Sequence, residues 1–291
     1  MKRLAALALL VPAPALAHAG ESHGGWTFEV PVAAPLAASA LLYAIGARRL
    51  WSRSFHGRAT QRRQTALFCA GWIVLAASLV SPLHESGQAS FAIHMVEHEL
   101  IMLPAALLLV ASRPGAAMLW ALPAALRSGL GGAARGGKPV WHLLTDPVVA
   151  TFVQLAVLFA WHAPALFDRA LASEGWHVAQ HLSFLASALL FWWALAHGRS
   201  GRFGFGTASL CLFLTSLAGG ALGALMAFST RPWYAGYAVL GMTSAGLSAA
   251  QDQQLAGLIM WIPGGLFHAA GGLFFLWKWI RSSETSHAFA E

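Results

Sequence analysis

Residues 91–103 read Phe-Ala-Ile-His-Met-Val-Glu-His-Glu-Leu-Ile-Met-Leu, with His94, Glu97, His98 and Glu99 gathered at the head of an apolar run. On a helix, positions four apart share a face, so His94, His98 and Met102 form one stripe with Glu97 beside His94. Only the twelve residues 100–111 are continuously apolar. They make roughly 18 Å of helix, against about 30 Å of bilayer hydrocarbon. A helix that spans must therefore take in the histidines, which places them at or just inside the membrane boundary. Ionisable groups there cost about 2.5–3.5 kcal/mol each near the centre and face the protein interior. The stretch predicts a membrane-crossing helix that carries a polar site.

Composition agrees. The chain is 57% hydrophobic and 10% charged, with mean hydropathy +0.60, whereas a soluble domain carries about 25% charged residues. The fold class expected is all-α, a polytopic membrane helix bundle. The net charge of +7 does not point to nucleic acid, because the cations sit in short loops between apolar runs. Cys69 and Cys211 fall within predicted helices and read as small apolar fillers, not a thiol-based metal or redox centre. Thirteen histidines are the anomaly.

Residues 1–17 read as a cleavable signal peptide: Lys2 and Arg3, a short apolar core, then Ala15-Leu16-Ala17. Cleavage makes His18 the first residue of a periplasmic tail, 18–28. A terminal amine beside that imidazole can chelate copper, with His23 as a third ligand; the plainer reading is a polar tail. Seven apolar segments follow at about 29–49, 65–83, 91–111, 147–164, 177–197, 206–228 and 255–279, within a membrane domain spanning 29–281 and ahead of a cytoplasmic tail, 282–291. Six arginines follow the first segment, four cations the third, two the fifth, and Lys278 and Arg281 end the seventh. By the positive-inside rule, the N-terminus lies in the periplasm and the C-terminus in the cytoplasm. Within the basic 113–146 connection, 114–126 is apolar but proline-broken. It reads as an interfacial helix, since an eighth span would break the charge alternation.

This topology sorts polar residues by side. His84 and Glu85 end the second helix on the outer face, where His94, Glu97 and His98 begin the third. His162 closes the fourth, His177 and His181 open the fifth, Asp252 precedes the seventh, and Met226, Met242 and Met260 fall near the same face. His94, His98, His162, His177 and His181 are the expected metal ligands, because imidazole suits copper, zinc and iron. Glu97, Asp252, His84, Met95, Met102, Met260 and His18 form a second tier, as further ligands or as groups that orient them. For each histidine the plain alternative is a hydrogen-bonded helix end, and for each methionine a core filler. His268 reads as packed within the seventh helix, and His142 and His197 fall on the cytoplasmic side. Two other functions fit parts of the pattern. Facing histidines at matched depth can ligate haem b as an integral cytochrome, and His94-x-x-Glu97-His98 matches the H-x-x-E-H pattern of metallohydrolases.

His94-Met95-x-x-His98, Trp161-His162-x-Pro164, His177-x-x-x-His181 and Asp252-Gln253-x-Leu255-x-Gly257-x-x-Met260-Trp261-x-Pro263 together resemble the caa3-type CtaG family of cytochrome c oxidase assembly factors, over roughly 80–280. The resemblance implies a non-enzymatic, multi-pass factor of the bacterial inner membrane that delivers copper to oxidase metal centres, with oxidase subunits or copper chaperones as partners. One departure is Pro104-Ala105-Ala106, where the family more often runs Ala-Pro-Leu-Leu. The chain also lacks the cysteine pair of the unrelated single-span copper chaperone that shares the family's name.

Overall fold

The computed structural model describes residues 25–53, 57–198 and 204–288, and these are helical with no strand among them. The signal peptide, His18 and His23 lie outside the described residues. Among the described residues, six helices are long and apolar enough to cross a membrane: Val30–Ser52, Arg58–Val80, Phe91–Ser112, Glu174–His197, Gly204–Ala227 and Ala249–Ser282. A seventh crossing exists if the bent pair Lys138–Leu144 and Pro147–His162, angled at 69°, counts as one. The bend has a local cause. Asp146 accepts hydrogen bonds from Val148 N and Val149 N (2.9 and 3.2 Å), and Pro147 follows it at the first helical position, so a fresh helix starts there. That helix has 16 residues, about 24 Å of rise, short of a full span by itself.

Helix ends differ from expectation in instructive ways. The second span begins at Arg58 because its arginine-rich first turns are good helix formers despite their charge. It stops at Val80, and Ser81 and Pro82 start a separate short helix, Pro82–Ala89. His84 and Glu85 therefore ride on that helix and do not end the second span. The seventh helix starts at Ala249, so Asp252 sits within its first turn. The interfacial segment is two helices, Pro114–Ala121 and Ala124–Gly136, broken at Leu122-Pro123. The first of them lies against the opening span, where Gly46 lets the backbone of Ala117 approach.

The third span holds the centre. A π-helical turn occupies Ile101–Ala105 and contains Pro104, whose missing N–H removes one bond of the ordinary ladder. One core joins this span to the fifth, sixth and seventh through Met95, Phe184, Phe191, Leu212, Met226 and Met260. A second joins it to the first two through Leu36, Phe68, Leu75 and Leu109.

Candidate metal centre

Ser90 caps the third span, accepting from Ile93 N at 3.3 Å. Its hydroxyl donates to Asp252 Oδ1 at 2.8 Å, and the Asp252 carboxylate also accepts from Phe91 N at 2.6 Å. An anion at a helix N-terminus satisfies free N–H groups and the helix dipole together. Asp252 thus pins the seventh helix to the start of the third and sets the rotation of the histidine stripe.

That rotation turns the site inward. His94, Glu97 and His98 are 1%, 0% and 2% exposed, so they face protein and not lipid. His94 Nε2 lies 2.9 Å from His98 Nε2. The His181 ring lies 5.1 Å from that of His98 and 6.0 Å from that of His94. One ligand atom from each of these three residues falls within 4.8 Å of the others. A second such group is His84, Glu97 and His181, in which His84 Nδ1 meets Glu97 Oε1 at 2.7 Å and His181 Nε2 lies 3.7 Å from the same oxygen. The two groups share His181. His177 flanks both, its ring 4.4 Å from His181 and stacked at 5.2 Å on His84.

Tyr237 fixes the protonation of His94. Its hydroxyl donates to Gly87 O at 2.7 Å and sits 2.9 Å from His94 Nδ1. A phenol has one proton, so His94 Nδ1–H donates to it and Nε2 keeps its lone pair. Burial, then the Asp252 and Glu97 carboxylates, push the Tyr237 phenol well above its ordinary range, so it stays protonated. Glu97 Oε2, His98 Nδ1, His177 Nε2 and His181 Nε2 are enclosed and have no hydrogen-bond partner among the described residues. Buried polar atoms are rarely left so. The nitrogens of one bound ion lie at most about 4.2 Å apart, so small rotations bring the first group onto a shared ion. A His-rich donor set with an adjoining carboxylate fits a late first-row metal.

Other expected residues lie elsewhere. His162 donates Nδ1–H to Leu158 O at 2.7 Å and sits behind Phe167 and Phe184, 6.3 Å from each ring. It belongs to neither group, although its Nε2 is enclosed and unpartnered. Asp252 bonds the helix start described above. Met95 is core, and Met242 is 70% exposed. Met102 and Met260 line a different cavity. His197 accepts from Arg113 Nε at 2.8 Å, away from the site.

Sequence reasoning missed Tyr237. One signal was available: the chain has three tyrosines, and two of them, Tyr234 and Tyr237, sit three apart in the loop before the seventh helix. That loop is fastened by Gln253, which accepts from Trp233 N at 2.6 Å, and by Asp168, which accepts from Gly236 N at 3.0 Å.

A family model described as cytochrome c oxidase caa3 assembly factor (Caa3_CtaG) matches residues 41–282. No curated protein and no solved structure matches the chain. The matched stretch includes every histidine and carboxylate of both groups, and covers most of the polypeptide. The chain is a member of the cytochrome c oxidase caa3 assembly factor family.

Proposed function

We propose that this assembly factor binds copper at the His94–His98–His181 centre and hands it to the metal centres of its oxidase. The observation that carries the reading is the enclosure of three imidazoles with ligand atoms within 4.8 Å of one another, on a protein whose family matures a copper-containing class of enzyme. His84, Glu97 and His177 form the adjoining ring, and Glu97 supplies negative charge against a bound cation. Loop cations put this end of the bundle in the periplasm, with oxidase subunits or a copper chaperone as partners there. Copper is cargo in this scheme and no bond is made or broken in a substrate, so the protein is not an enzyme.

The imidazoles support a small ion over a haem. Their ring centroids lie 4.3–6.0 Å apart, edge to face or tilted, whereas bis-imidazole ligation needs two rings opposed across a porphyrin. The test uses the purified full-length protein, loaded with copper or zinc and desalted. Wild type retains the copper held by the histidines, and the double variant His94→Ala/His98→Ala retains about one ion per chain less. Equal retention by the two proteins overturns the reading. In cells, the oxidase isolated from a strain carrying the double variant contains less copper by elemental analysis.

A further inference from the structure

Below the histidines, the third, sixth and seventh spans and the Pro147–His162 helix line a second, small cavity with a few polar groups in its wall. Its volume is about 30 Å³, and its walls include Glu99, Met102, Gln154, Ser216, Met260 and His268. That is room for one atom-sized guest. Glu99 Oε2 and Gln154 Oε1 are shut from solvent without a hydrogen-bond partner. Enclosed oxygens left unmatched are costly, and a positive guest in the cavity that both residues line would remove the penalty.

The wall is built around Gly264. A Cβ at that position would lie 2.7 Å from Glu99 Oε2, so the carboxylate rests on a bare Cα. The carbonyl of the same residue accepts His268 Nδ1–H at 2.8 Å. Neutral His268 therefore has its lone pair on Nε2, and its ring is held flat against Trp192 at 6.2 Å and 13°. Met102 and Met260 are 8% and 5% exposed. Two thioethers with an imidazole favour Cu(I) over harder cations, and one carboxylate balances one positive charge in a site where an unpaired charge is expensive.

We infer that Glu99, Met102, Met260 and His268 form a second, thioether-containing Cu(I) site within the membrane. Met102 stands four residues beyond His98 on the same helix, about 6 Å of rise. The pair of sites lets one ion pass from imidazole to thioether ligands along the third span. The sequence of transfer rests on the copper reading of the histidine centre; the second site itself does not.

The experiment is an anaerobic Cu(I) titration of detergent-purified full-length protein against a chromogenic chelator, with X-ray absorption at the copper edge. Wild type takes up two Cu(I) per chain and shows sulfur scattering. Met102→Leu/Met260→Leu nearly conserves volume and keeps the fold; it takes up one Cu(I) and shows nitrogen ligation only. His94→Ala/His98→Ala takes up one Cu(I) and keeps the sulfur. The inference is overturned if the methionine variant keeps wild-type stoichiometry, or if no protein shows copper–sulfur scattering, which leaves the cavity to water or sodium. Uptake of one sulfur-bound Cu(I) by wild type and by the histidine variant alike supports the inner site and sinks the histidine centre, so the two readings fail separately.

Discussion

The phenolic oxygen of Tyr237 lies 2.9 Å from His94 Nδ1 and donates its own proton to Gly87 O. One hydroxyl from a loop thereby selects which nitrogen of a membrane-buried imidazole is bare. Partners that orient a ligating histidine typically matter 10–100-fold to metal affinity. Tyr237→Phe keeps the ring against Phe91 and Phe167 while removing the oxygen. Copper affinity by chelator competition is expected to fall about 10–100-fold. The apo protein loses about 1–3 kcal/mol, because the hydroxyl's hydrogen bonds to His94 Nδ1 and Gly87 O are removed. An unchanged affinity would show that the tautomer is set by something else.

The pair His84–Glu97 predicts a pH dependence of stability. Burial opposes the charged form of His84, but the hydrogen bond and charge of Glu97 outweigh it, and the net shift is upward from 6.5. A group whose pKa rises on folding contributes stability that is complete below the unfolded value and disappears as pH climbs through the folded one. Glu97→Gln removes the two largest effects that raise it. The apo thermal midpoint of wild type minus that of the variant is therefore expected to be largest at pH 6 and to shrink toward pH 8.5. Copper binding runs the other way, since ligand imidazoles must be neutral. A difference that grows with pH would mean that Glu97 does not stabilise His84 as a cation.

The outline of this molecule is legible in its sequence because the dominant forces are one-dimensional. Bilayer thickness sets the length of apolar runs, and the i,i+4 rule sets the His94/His98 and His177/His181 faces. What escaped is set by contacts distant in sequence or by small backbone events. Pro82 after Ser81 was readable as a break but was absorbed into a longer helix, which misplaced the carrier of His84. The π turn around Pro104 is a small backbone event that spacing alone does not announce. Glu99 was visible in the opening stretch. Only its position beside Gln154 and Gly264, from two other helices, separates it from its neighbour Glu97. Asp252 gave no hint of its partner, because 161 residues separate it from Phe91.

That partnership is itself testable. Asp252→Asn keeps the shape but turns an acceptor into a mixed group facing donors from Phe91, Ala92 and Ser90. The loss of a charged cap bonded across helices is expected to destabilise by about 1–3 kcal/mol, read as a lower thermal midpoint of the detergent-purified protein. Copper stoichiometry at the histidine centre, measured well below that midpoint, is expected to stay near wild type, since Asp252 contacts no imidazole among the described hydrogen bonds. Loss of copper at unchanged thermal stability would instead place the carboxylate in the metal site.

One turn and a half further along the seventh helix, Gly257 meets Gly223 of the sixth. A Cβ on Gly257 would collide with Gly223 O and lie 2.6 Å from Ala227 N; a Cβ on Gly223 would lie 2.7 Å from Gly257 O and 3.0 Å from Trp261 N. The two nearest atoms to each added methyl are backbone, so it cannot be accommodated by a rotamer change and the helices must separate. Small residues at such crossings let membrane helices pack backbone to backbone. Gly257→Ala is expected to cost about 1–3 kcal/mol as overpacking, and Gly241→Ala, in an open loop position with φ of 79°, less. Because the seventh helix carries both Asp252 and Met260, widening this crossing also loosens the inner cavity. Gly257→Ala should therefore weaken the sulfur-ligated copper before it touches the histidine-ligated copper, and the order of loss during chelator titration reads this directly. Simultaneous loss of both would mean that the seventh helix holds the whole site together and not its inner half.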